Sequence, residues 1–367
     1  MKTILYVSPN GYIGGAEKIL ISMVTQHHQI APMQVKSLFF KSGEATESLV
    51  RQNIVPSILN NHFRLSRPGS LFRALKEIRH LVQEQKIEII HSTMAYGHLV
   101  MSLATLGLPV KKVWFQHGPV EGLLDKLASL FGADLILFNS KYLKDKHLKH
   151  NFNLGSPKMK IIPLGVESLE QCPIKTISHK LRVLLVGRIS PIKGFHLVLE
   201  ALRELKKESE SKLSNLEVLI IGKANTLPEK VYQNKLIELG NELEKTVTFL
   251  PFQAEMMKQY EKAHILIQPS LVGEGFGLVL AEAMGHGVLA VGPRYGGGGE
   301  ILISGQTGIN FDFNSERVVN DLKNFLENIA SQYDEFQDIR ENAFNLIQKQ
   351  YSYKRMMSSL FSSYEEI

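Results

Sequence analysis

Short apolar runs rich in β-branched residues alternate with longer helical patterns along the whole chain, and this alternation limits the choice of fold. Runs of this length separated by helices indicate βαβ units and parallel sheets covered on both faces. The alternation forms two series, and each series begins with a strand and a glycine-containing turn. The sequence therefore predicts an α/β protein with two doubly wound domains. Strands are expected at 4–7, 35–40, 87–91, 113–117, 135–139, 160–163, 182–186, 217–221, 247–249, 265–268 and 288–291.

Chain length and a change of pattern set the expected domain boundaries. A chain of 367 residues is long enough for two domains of ordinary size. A polar stretch without periodicity divides the two series, so we expect an N-terminal domain at 1–165, a linker at 166–180 and a C-terminal domain at 181–350. The segment 351–367 has aromatic residues and methionines at helical spacing and is expected to pack back on the N-terminal domain. Because open α/β sheets bind ligands outside the carboxyl ends of their strands, we expect the site in a cleft between the domains.

Cysteine content and charge narrow the classes of function. The single cysteine, Cys172, cannot form an internal disulfide, the chain lacks a secretory h-region, and no apolar run reaches the roughly 18 to 20 residues that span a bilayer. We therefore expect a soluble, cytoplasmic protein. Residues 1–180 contain 22 Lys and Arg against 12 Asp and Glu, a net charge of +10, whereas residues 181–367 contain 20 against 24. The basic half is expected to meet an anionic partner, with a merely solvated basic surface as the alternative.

Two segments after predicted strands have the chemistry of a phosphate site. Gly14 and Gly15 begin the first helix, where backbone amides approach an anion closely. Gly187 ends a later strand, and Arg188 and Lys193 follow on one loop, an arrangement that suits a diphosphate. A structural turn is the alternative for the first segment, and solvated surface cations are the alternative for the second.

The segment from Glu274 to Met284 is the most informative motif. Glu274 lies in a glycine turn, and the amides that follow it begin a helix and face an incoming anion. Glu282 interrupts an apolar helix face, where a carboxylate costs several kcal/mol unless it is paired or hydrogen-bonded. A ribose diol would supply two donors to Glu282, and sugar hydroxyls would do the same for Glu274. Internal capping with a structural ion pair is the alternative.

His117 lies at the carboxyl end of a predicted strand that Gly118 and Pro119 terminate. This position directs the imidazole into the expected cleft, although a lone histidine is more often a satisfied core group. The sequence contains no metal-ligand cluster, no Walker A segment and no G-x-S-x-G elbow, so we expect no built-in metal.

Together these motifs resemble, in order and spacing, the family 4 retaining glycosyltransferases of the GT-B fold, of the type that assembles bacterial polysaccharide and lipopolysaccharide. The resemblance runs from residue 8 to about residue 311, and its most specific part is the Glu-x7-Glu element from Glu274 to Glu282. The chain departs from the family at Leu164–Glu167, which replaces Asn-Gly-Val-Asp, and at Gly296–Glu300, which replaces Gly-Gly-x-Pro-Glu and is expected to be more flexible. The supporting matches are Gly14–Glu17, His117–Gly118, Asn139–Ser140, Ile162–Val166, Gly187–Arg188, Lys193–Gly194, Glu300 and Thr307–Gly308.

The resemblance implies two doubly wound, Rossmann-like domains and a role for each candidate residue. Arg188 and Lys193 would neutralise the donor diphosphate as it leaves. Glu282 would hold the nucleotide ribose, and Glu274 would contact hydroxyls of the transferred sugar. His117 would contact that sugar near its anomeric centre. The implied catalytic set is His117, Arg188, Lys193 and Glu274, and the implied binding set is Gly15, Gly187, Arg188, Lys193, Glu274, Gly275, Phe276, Gly277, Leu278 and Glu282.

The implied enzyme is a metal-independent, retaining hexosyltransferase that needs no cofactor. UDP-glucose is the expected donor, with GDP-mannose and UDP-N-acetylglucosamine as alternatives, and the acceptor is a saccharide or lipid-linked saccharide. Basic residues cluster at 64–79 and 141–150, so association with an anionic membrane surface, on the inner face of the cell membrane, is a hypothesis. Other readings are a GT-B epimerase or phosphorylase and a non-catalytic module for an anionic ligand. A nucleic-acid partner is not expected, because no recognition motif for one is visible.

Overall fold

The computed structural model describes residues 2–30, 34–118, 120–152, 154–155, 157–243 and 245–367. The chain divides into two compact units: unit 1 consists of Met1–Gly165 and Tyr353–Ile367, and unit 2 of Val166–Ser352. The segment 166–180, which the sequence analysis expects as a linker, falls within unit 2. Its polar groups find their hydrogen-bond partners there: the Leu169 amide donates to the Gly285 carbonyl at 3.1 Å.

Within the described residues, unit 1 contains a seven-stranded sheet in which every pair of neighbours is parallel. Its strands are β1 (Thr3–Ser8), β2 (Gln34–Phe39), β3 (Ser57–Ile58), β4 (Ile89–Thr93), β5 (Lys111–Gln116), β6 (Leu135–Phe138) and β7 (Lys158–Ile161). Their order is β3-β2-β1-β4-β5-β6-β7, so the direction of winding reverses beside β1. The central strands are buried on both faces, which explains their nearly continuous apolar sequences.

Helices connect these strands and cover the sheet. They are α1 (Gly15–Ile30), α2 (Glu44–Arg51), α3 (Pro68–Glu84), α4 (Met94–Ala104), α5 (Leu123–Ala128) and α6 (Lys141–His150). Helix α3 begins with a proline in its first turn, where the missing N–H costs no hydrogen bond. It buries Ala74, Ile78 and Val82, which recur every four residues and therefore share one face. Ile78 and Val82 join a core with Leu5 and Ile90 of the sheet.

Unit 2 repeats the architecture with, in its described residues, a six-stranded parallel sheet. Its strands are β8 (Leu181–Val186), β9 (Leu216–Ile221), β10 (Val247–Leu250), β11 (Ile265–Ile267), β12 (Leu289–Pro293) and β13 (Ile309–Phe311). The order is β10-β9-β8-β11-β12-β13, so β8 and β11 flank the switch point at which such sheets bind ligands. The predicted two-domain α/β fold is confirmed, and the structure adds the short strands β3 and β13, which the sequence analysis missed.

Several helices of unit 2 form one large apolar core with its sheet. The helices of this unit are α7 (Phe195–Glu208), α8 (Glu210–Leu213), α9 (Leu227–Asn241), α10 (Met257–Lys262), α11 (Leu278–Met284), α12 (Gly298–Ile301), α13 (Val318–Gln332) and α14 (Gln337–Gln350). Helix α7 buries Val198, Leu202 and Leu205 at helical spacing against β8 and β9. In the part of the chain that the structure describes, no helix combines the length and the apolar character needed to cross a membrane.

The last helix, α15 (Tyr353–Glu365), belongs to unit 1 and is anchored there by a buried tyrosine. The hydroxyl of Tyr364 lies 2.6 Å from Nδ1 of His91 on β4 and 3.2 Å from the hydroxyl of Tyr6 on β1. All three side chains are fully buried. Hydrogen bonds in such a dry environment are costly to break, so this contact attaches the chain terminus to the sheet of unit 1.

Unit 1 also buries neutral histidines whose protonation opposes folding. His98 stacks on Trp114, with ring centroids 4.7 Å apart, and donates from Nε2 to the carbonyl of Phe131 at 3.0 Å. Desolvation lowers the pKa of His98 to about 4 and the pKa of His91 well below its ordinary value. As the pH falls below about 6.5, the unfolded chain takes up these protons before the folded chain does. Acid therefore favours unfolding, by about 1.4 kcal/mol per pH unit for each such histidine.

We expect His98→Gln to flatten the acid dependence of stability, although it lowers stability at pH 7 by removing the stacked ring. Between pH 7 and pH 5 the wild type should lose about 2 kcal/mol more than the variant, because only the wild-type unfolded state gains the proton of His98. Urea unfolding at a series of pH values measures this difference. His80→Gln is the control, since the side chain of His80 is 80% exposed on α3. Parallel pH profiles for His98→Gln and the wild type would contradict the prediction.

Candidate functional site

The first part of the site is the loop that follows β8. Gly187 ends the strand with φ of 145°, a backbone conformation that favours glycine, and its amide donates to the Ile221 carbonyl at 3.0 Å. The chain then forms a 3-10 turn at Pro191–Lys193 and enters α7 through Gly194. A Cβ atom at Gly194 would lie only 2.1 Å from the carbonyl oxygen of Pro269. Glycine is therefore required for the loop after β8 to touch the loop after β11.

This contact brings together two candidate residues from different loops. Nζ of Lys193 donates to Oε1 of Glu274 at 2.5 Å, and the hydroxyl of Ser270 donates to the same oxygen. The side chains of Lys193 and Glu274 are only 17% and 22% exposed. The backbones are joined as well, because the Leu271 amide donates to the Ile192 carbonyl at 2.8 Å. This charge-assisted hydrogen bond has little exposure to solvent. The fold therefore holds a cation and an anion side by side at the carboxyl ends of β8 and β11.

Arg188 is held more loosely on the same loop. Its Nε lies 3.4 Å from Oε1 of Glu229, and its side chain is 55% exposed. Glu229 itself is buried and caps α9, since its Oε2 accepts hydrogen bonds from the amides of Asn225 at 2.7 Å and Thr226 at 3.1 Å. The Arg188 side chain is largely exposed and its contact with Glu229 is long, so the guanidinium can turn to another anion at small cost.

Helix α11 begins at a tightly packed glycine. Gly277 has φ of 91°, and a Cβ atom there would lie 2.9 Å from Cα of Gly298. The side chain of Phe276 is buried, with its ring 5.8 Å from the ring of Tyr351. Leu278 is half-buried. The candidate residues at this point therefore offer backbone amides, since the first amides of a helix have no carbonyl partner within it.

The Gly296–Glu300 segment packs against the Glu274 loop. A Cβ atom at Gly297 would lie 2.0 Å from the carbonyl oxygen of Gly275, and the Gly297 amide donates to the Glu274 carbonyl at 2.8 Å. The sequence analysis expected flexibility here because the segment is rich in glycine. The structure shows instead that the glycines allow two backbones to make direct contact.

Glu282 lies on α11 and is 6% exposed. The hydroxyl of Tyr260, on α10, donates to its Oε2 at 2.8 Å, and Nδ1 of His286 donates to its backbone carbonyl at 2.8 Å. Burial and the neighbouring carboxylate raise the pKa of Tyr260 well above its ordinary value. The sequence analysis singled out Glu282 but missed Tyr260, for which no sequence signal beyond its helical spacing was present.

In unit 1, His117 directly follows β5. Its ring lies 4.2 Å from the ring of Phe115, and both of its ring nitrogens are buried without a hydrogen-bond partner among the described residues. Desolvation lowers the pKa of His117 to about 3, so the imidazole is neutral. Gly118 is half-buried beside Met94, and Pro119 lies outside the described residues. Buried ring nitrogens without a hydrogen bond are costly, which marks His117 as a candidate for ligand contact.

Gly15 is exposed at the first turn of α1. The Glu17 carboxylate in this turn is buried and accepts a hydrogen bond from Nδ2 of Asn10 at 3.1 Å. Burial raises the pKa of Glu17. The exposed backbone at Gly15 and the internally held Glu17 fit a turn whose glycine leaves the helix start accessible.

Two cavities formed by the described residues lie away from the candidate residues. One of about 490 Å³ lies between α2 and β3, and another of about 700 Å³ lies at the amino ends of β8 and β11. Over the described ranges, no three His, Cys, Asp or Glu side chains are grouped as metal ligands. The polar groups of unit 2 that the sequence singled out lie at the carboxyl ends of the strands, where open α/β sheets bind ligands.

Two family descriptions match most of the chain. "Glycosyltransferase Family 4" matches residues 13–168, and "Glycosyl transferases group 1" matches residues 173–345. The chain is also similar over its full length to the Anabaena protein Alr3699/HepE, solved in complex with UDP-glucose. The TM-score is 0.85 at 18% identity, with 100% of both chains covered. This likeness confirms the GT-B fold class.

Curated relatives are similar over shorter stretches. The lipopolysaccharide 1,2-N-acetylglucosaminetransferase of Salmonella typhimurium is 27% identical over 291 residues, which are 75% of this chain and 71% of the relative. The D-inositol 3-phosphate glycosyltransferase of Corynebacterium efficiens is 31% identical over 193 residues, which are 51% of this chain and 43% of the relative. The matched region therefore spans less than half of the second relative.

We expect Gly297→Ala to destabilise unit 2, because the added Cβ would force the segments at Gly275 and Gly297 apart. The expected loss is on the order of 1–3 kcal/mol in the free energy of unfolding. Urea unfolding followed by circular dichroism measures it. Gly69→Ala is the control, since a Cβ atom at Gly69, in the first turn of α3, would meet nothing within 4 Å. Equal stabilities for the two variants would contradict the close contact.

Proposed function

The chain belongs to the family 4-type glycosyltransferases of the GT-B fold, which transfer a sugar from a nucleotide sugar, and we propose that its donor is UDP-glucose. We propose as acceptor a saccharide or lipid-linked saccharide in the synthesis of cell-surface or extracellular polysaccharide. The observation that carries the proposal is the Lys193–Glu274 ion pair at the carboxyl ends of β8 and β11. Glu282 follows Glu274 closely in sequence, on α11. UDP-glucose binding by the Anabaena protein supports the choice of donor.

Arg188 and Lys193 are proposed to bind the donor diphosphate. Both follow β8, and neither cation is committed to a fully buried ion pair. A diphosphate could replace Glu274 as the partner of Lys193 and Glu229 as the partner of Arg188. Positive charge placed in advance at the leaving group stabilises the negative charge that develops there in the transition state.

Glu274, released by Lys193, is proposed to accept hydrogen bonds from hydroxyls of the transferred sugar. The hydroxyl of Ser270 would continue to hold Oε1, so the carboxylate would keep its orientation. Backbone amides of Gly275, Phe276, Gly277 and Leu278 are proposed to bind phosphate and sugar, and Gly187 gives the diphosphate close access to the backbone. Glu282 is proposed to accept hydrogen bonds from the ribose diol.

In unit 1, His117 and Gly15 remain the residues proposed to meet the donor. His117 is neutral, so one ring nitrogen can donate a hydrogen bond to the sugar without bringing a charge near the anomeric carbon. The observation that supports this role is that both ring nitrogens are buried without a partner among the described residues.

We propose transfer with retention of configuration and without a metal or other cofactor. The bond from the anomeric carbon to the diphosphate oxygen breaks as the bond to the acceptor oxygen forms on the same face. The departing phosphate takes the proton of the acceptor hydroxyl, so no carboxylate pair of the glycosidase kind is required. Lys193 and Arg188 supply the positive charge that a metal ion would otherwise provide.

The donor proposal predicts that UDP binds in the presence of EDTA, with weaker or no binding of GDP and ADP, and that Glu282→Ala weakens UDP binding. Isothermal titration calorimetry measures the binding of UDP, GDP and ADP. UDP-N-acetylglucosamine is tested beside UDP-glucose, because the Salmonella relative is an N-acetylglucosaminetransferase. Binding of none of the nucleotides by folded protein would overturn the donor site, and a requirement for Mg²⁺ would overturn metal independence.

Lys193→Met should lower kcat/KM for the nucleotide sugar by about a hundredfold, because it removes charge stabilisation that is strongest in the transition state. Release of UDP in the presence of acceptor measures the rate, and the anomeric configuration of the product is read by NMR. Lys230→Met, at an exposed position on α9, is the matched control and should leave the rate unchanged. An inverted product would overturn the retaining mechanism.

We also propose that unit 1 associates with anionic membrane. On α3 the ring of Phe72 is 60% exposed, with Nζ of Lys76 lying 4.8 Å from its centroid, and Arg73 is adjacent. On α6, Leu148 is 49% exposed beside Lys149. Apolar side chains flanked by cations suit the interface of an anionic bilayer, where each cation contributes about 1 kcal/mol.

Flotation with vesicles tests the membrane proposal. The protein should float with vesicles that contain phosphatidylglycerol and not with phosphatidylcholine alone, and 0.5 M NaCl should weaken the association by screening. The double variant Arg73→Glu/Lys76→Glu should reduce flotation, whereas Lys230→Glu in unit 2 should not. Absence of flotation with both kinds of vesicle would overturn the proposal.

A further inference from the structure

Glu282 is a buried carboxylate whose orientation depends on a phenol from a different helix. Tyr260 is 1% exposed, and its hydroxyl donates to Oε2 of Glu282 at 2.8 Å. The two residues are 22 positions apart in sequence and come from α10 and α11, on either side of β11. The contact therefore exists only because the fold brings the end of α10 to α11.

The backbone around Tyr260 is itself anchored by a buried lysine. Nζ of Lys175 donates to the carbonyls of Tyr260 at 2.9 Å and Glu261 at 2.8 Å, in the last turn of α10. Lys175 is 7% exposed, and burial lowers its pKa to about 8. A cation at the carboxyl end of a helix satisfies carbonyls that the helix leaves unpaired. Lys175 thus fixes the backbone of the residue that carries the phenol.

The peptide of Glu282 is fixed independently of its side chain. Nδ1 of His286, one turn later on the chain, donates to the Glu282 carbonyl at 2.8 Å. The His286 ring also packs on the Tyr260 ring, with centroids 5.4 Å apart. Backbone and ring contacts therefore hold the two residues in one geometry, and the hydrogen bond between phenol and carboxylate needs little further ordering.

A phenol suits this task better than a cation would. A carboxylate accepts about four hydrogen bonds, so the single bond from Tyr260 does not by itself saturate it. A lysine or arginine in the same place would neutralise the carboxylate and weaken its attraction for further donors. Burial raises the pKa of Tyr260 well above its ordinary value, which favours the protonated phenol that donates this hydrogen bond.

We propose that Tyr260 is a positioning residue for the donor nucleotide, which acts by holding the Glu282 carboxylate in the orientation that binds the ribose diol. This inference rests on the proposed role of Glu282. It differs from a merely structural role, because a structural defect would weaken binding of any uridine diphosphate. A positioning defect weakens only the binding of ligands that have ribose hydroxyls.

The test compares UDP with 2′,3′-dideoxyuridine diphosphate by titration calorimetry on the full chain. In the wild type UDP should bind more tightly, and Glu282→Gln should abolish this preference. Tyr260→Phe should weaken UDP binding by about tenfold, which corresponds to about 1.4 kcal/mol, and leave binding of the dideoxy ligand unchanged. The double variant Tyr260→Phe/Glu282→Gln should bind UDP no more weakly than Glu282→Gln alone.

Tyr333→Phe is the matched control. Tyr333 is an equally buried phenol of unit 2, whose hydroxyl donates to the His264 carbonyl at 3.2 Å and accepts a hydrogen bond from Nη1 of Arg340 at 3.2 Å. This variant should bind both ligands as the wild type does. Urea unfolding of each variant verifies that the protein titrated is folded, which is expected because phenylalanine retains the ring.

The outcomes separate the two proposals. If Glu282→Gln removes the preference for UDP but Tyr260→Phe behaves as the wild type, the positioning role is overturned and the ribose role of Glu282 stands. If Tyr260→Phe weakens both ligands equally, Tyr260 is structural and the inference is again overturned. If the wild type binds the two ligands equally, the ribose role of Glu282 fails and the role of Tyr260 fails with it.

Discussion

The geometry of the candidate donor site depends on direct contact between backbone loops at the carboxyl ends of β8 and β11. Gly194 packs against the Pro269 carbonyl, and Gly297 packs against the Gly275 carbonyl. A Cβ atom on either glycine would lie only about 2 Å from the carbonyl oxygen, so neither position has room for a side chain. These contacts determine where Lys193 and Glu274 meet. A larger residue at either glycine would separate the loops and so the charges. Side-chain chemistry in this site is therefore a consequence of backbone packing.

Charged groups near these loops are paired in ways that differ in how easily they can be exchanged. Lys193 and Glu274 are joined by a single pair of atoms and retain some exposure to solvent, and in the proposed mechanism an entering diphosphate replaces the carboxylate. Glu282 is nearly sealed, and its phenol partner carries no charge to be displaced. An exchangeable pair suits a leaving group whose charge changes during reaction, whereas a fixed carboxylate suits a nucleoside that is bound unchanged. The geometry is consistent with this division of roles.

The sequence predicted the sheets well because each central strand is buried on both faces and is therefore apolar throughout. It also singled out Lys193, Glu274 and Glu282, since charges in glycine loops and on apolar faces are conspicuous. It missed Tyr260, because the sequence pattern of an aromatic residue at helical spacing does not show whether its hydroxyl makes a hydrogen bond. It misjudged Gly296–Glu300, because a glycine run gives no indication of the backbone that packs against it. Sequence patterns show burial and charge, but not the partner that a buried group meets.

Two buried histidines of unit 1 illustrate the same distinction. Desolvation lowers the pKa of both His98 and His117, and each ring contacts an aromatic neighbour, stacked for His98 and tilted for His117. Nε2 of His98 bonds to the Phe131 carbonyl, which accounts for its burial, whereas the nitrogens of His117 have no partner among the described residues. An unmet buried polar group costs about 1–3 kcal/mol, a cost that a ligand offsets when it supplies the missing bond. The contacts of His98 therefore explain why it is buried, whereas the contacts of His117, at the end of β5, do not explain why its nitrogens are buried.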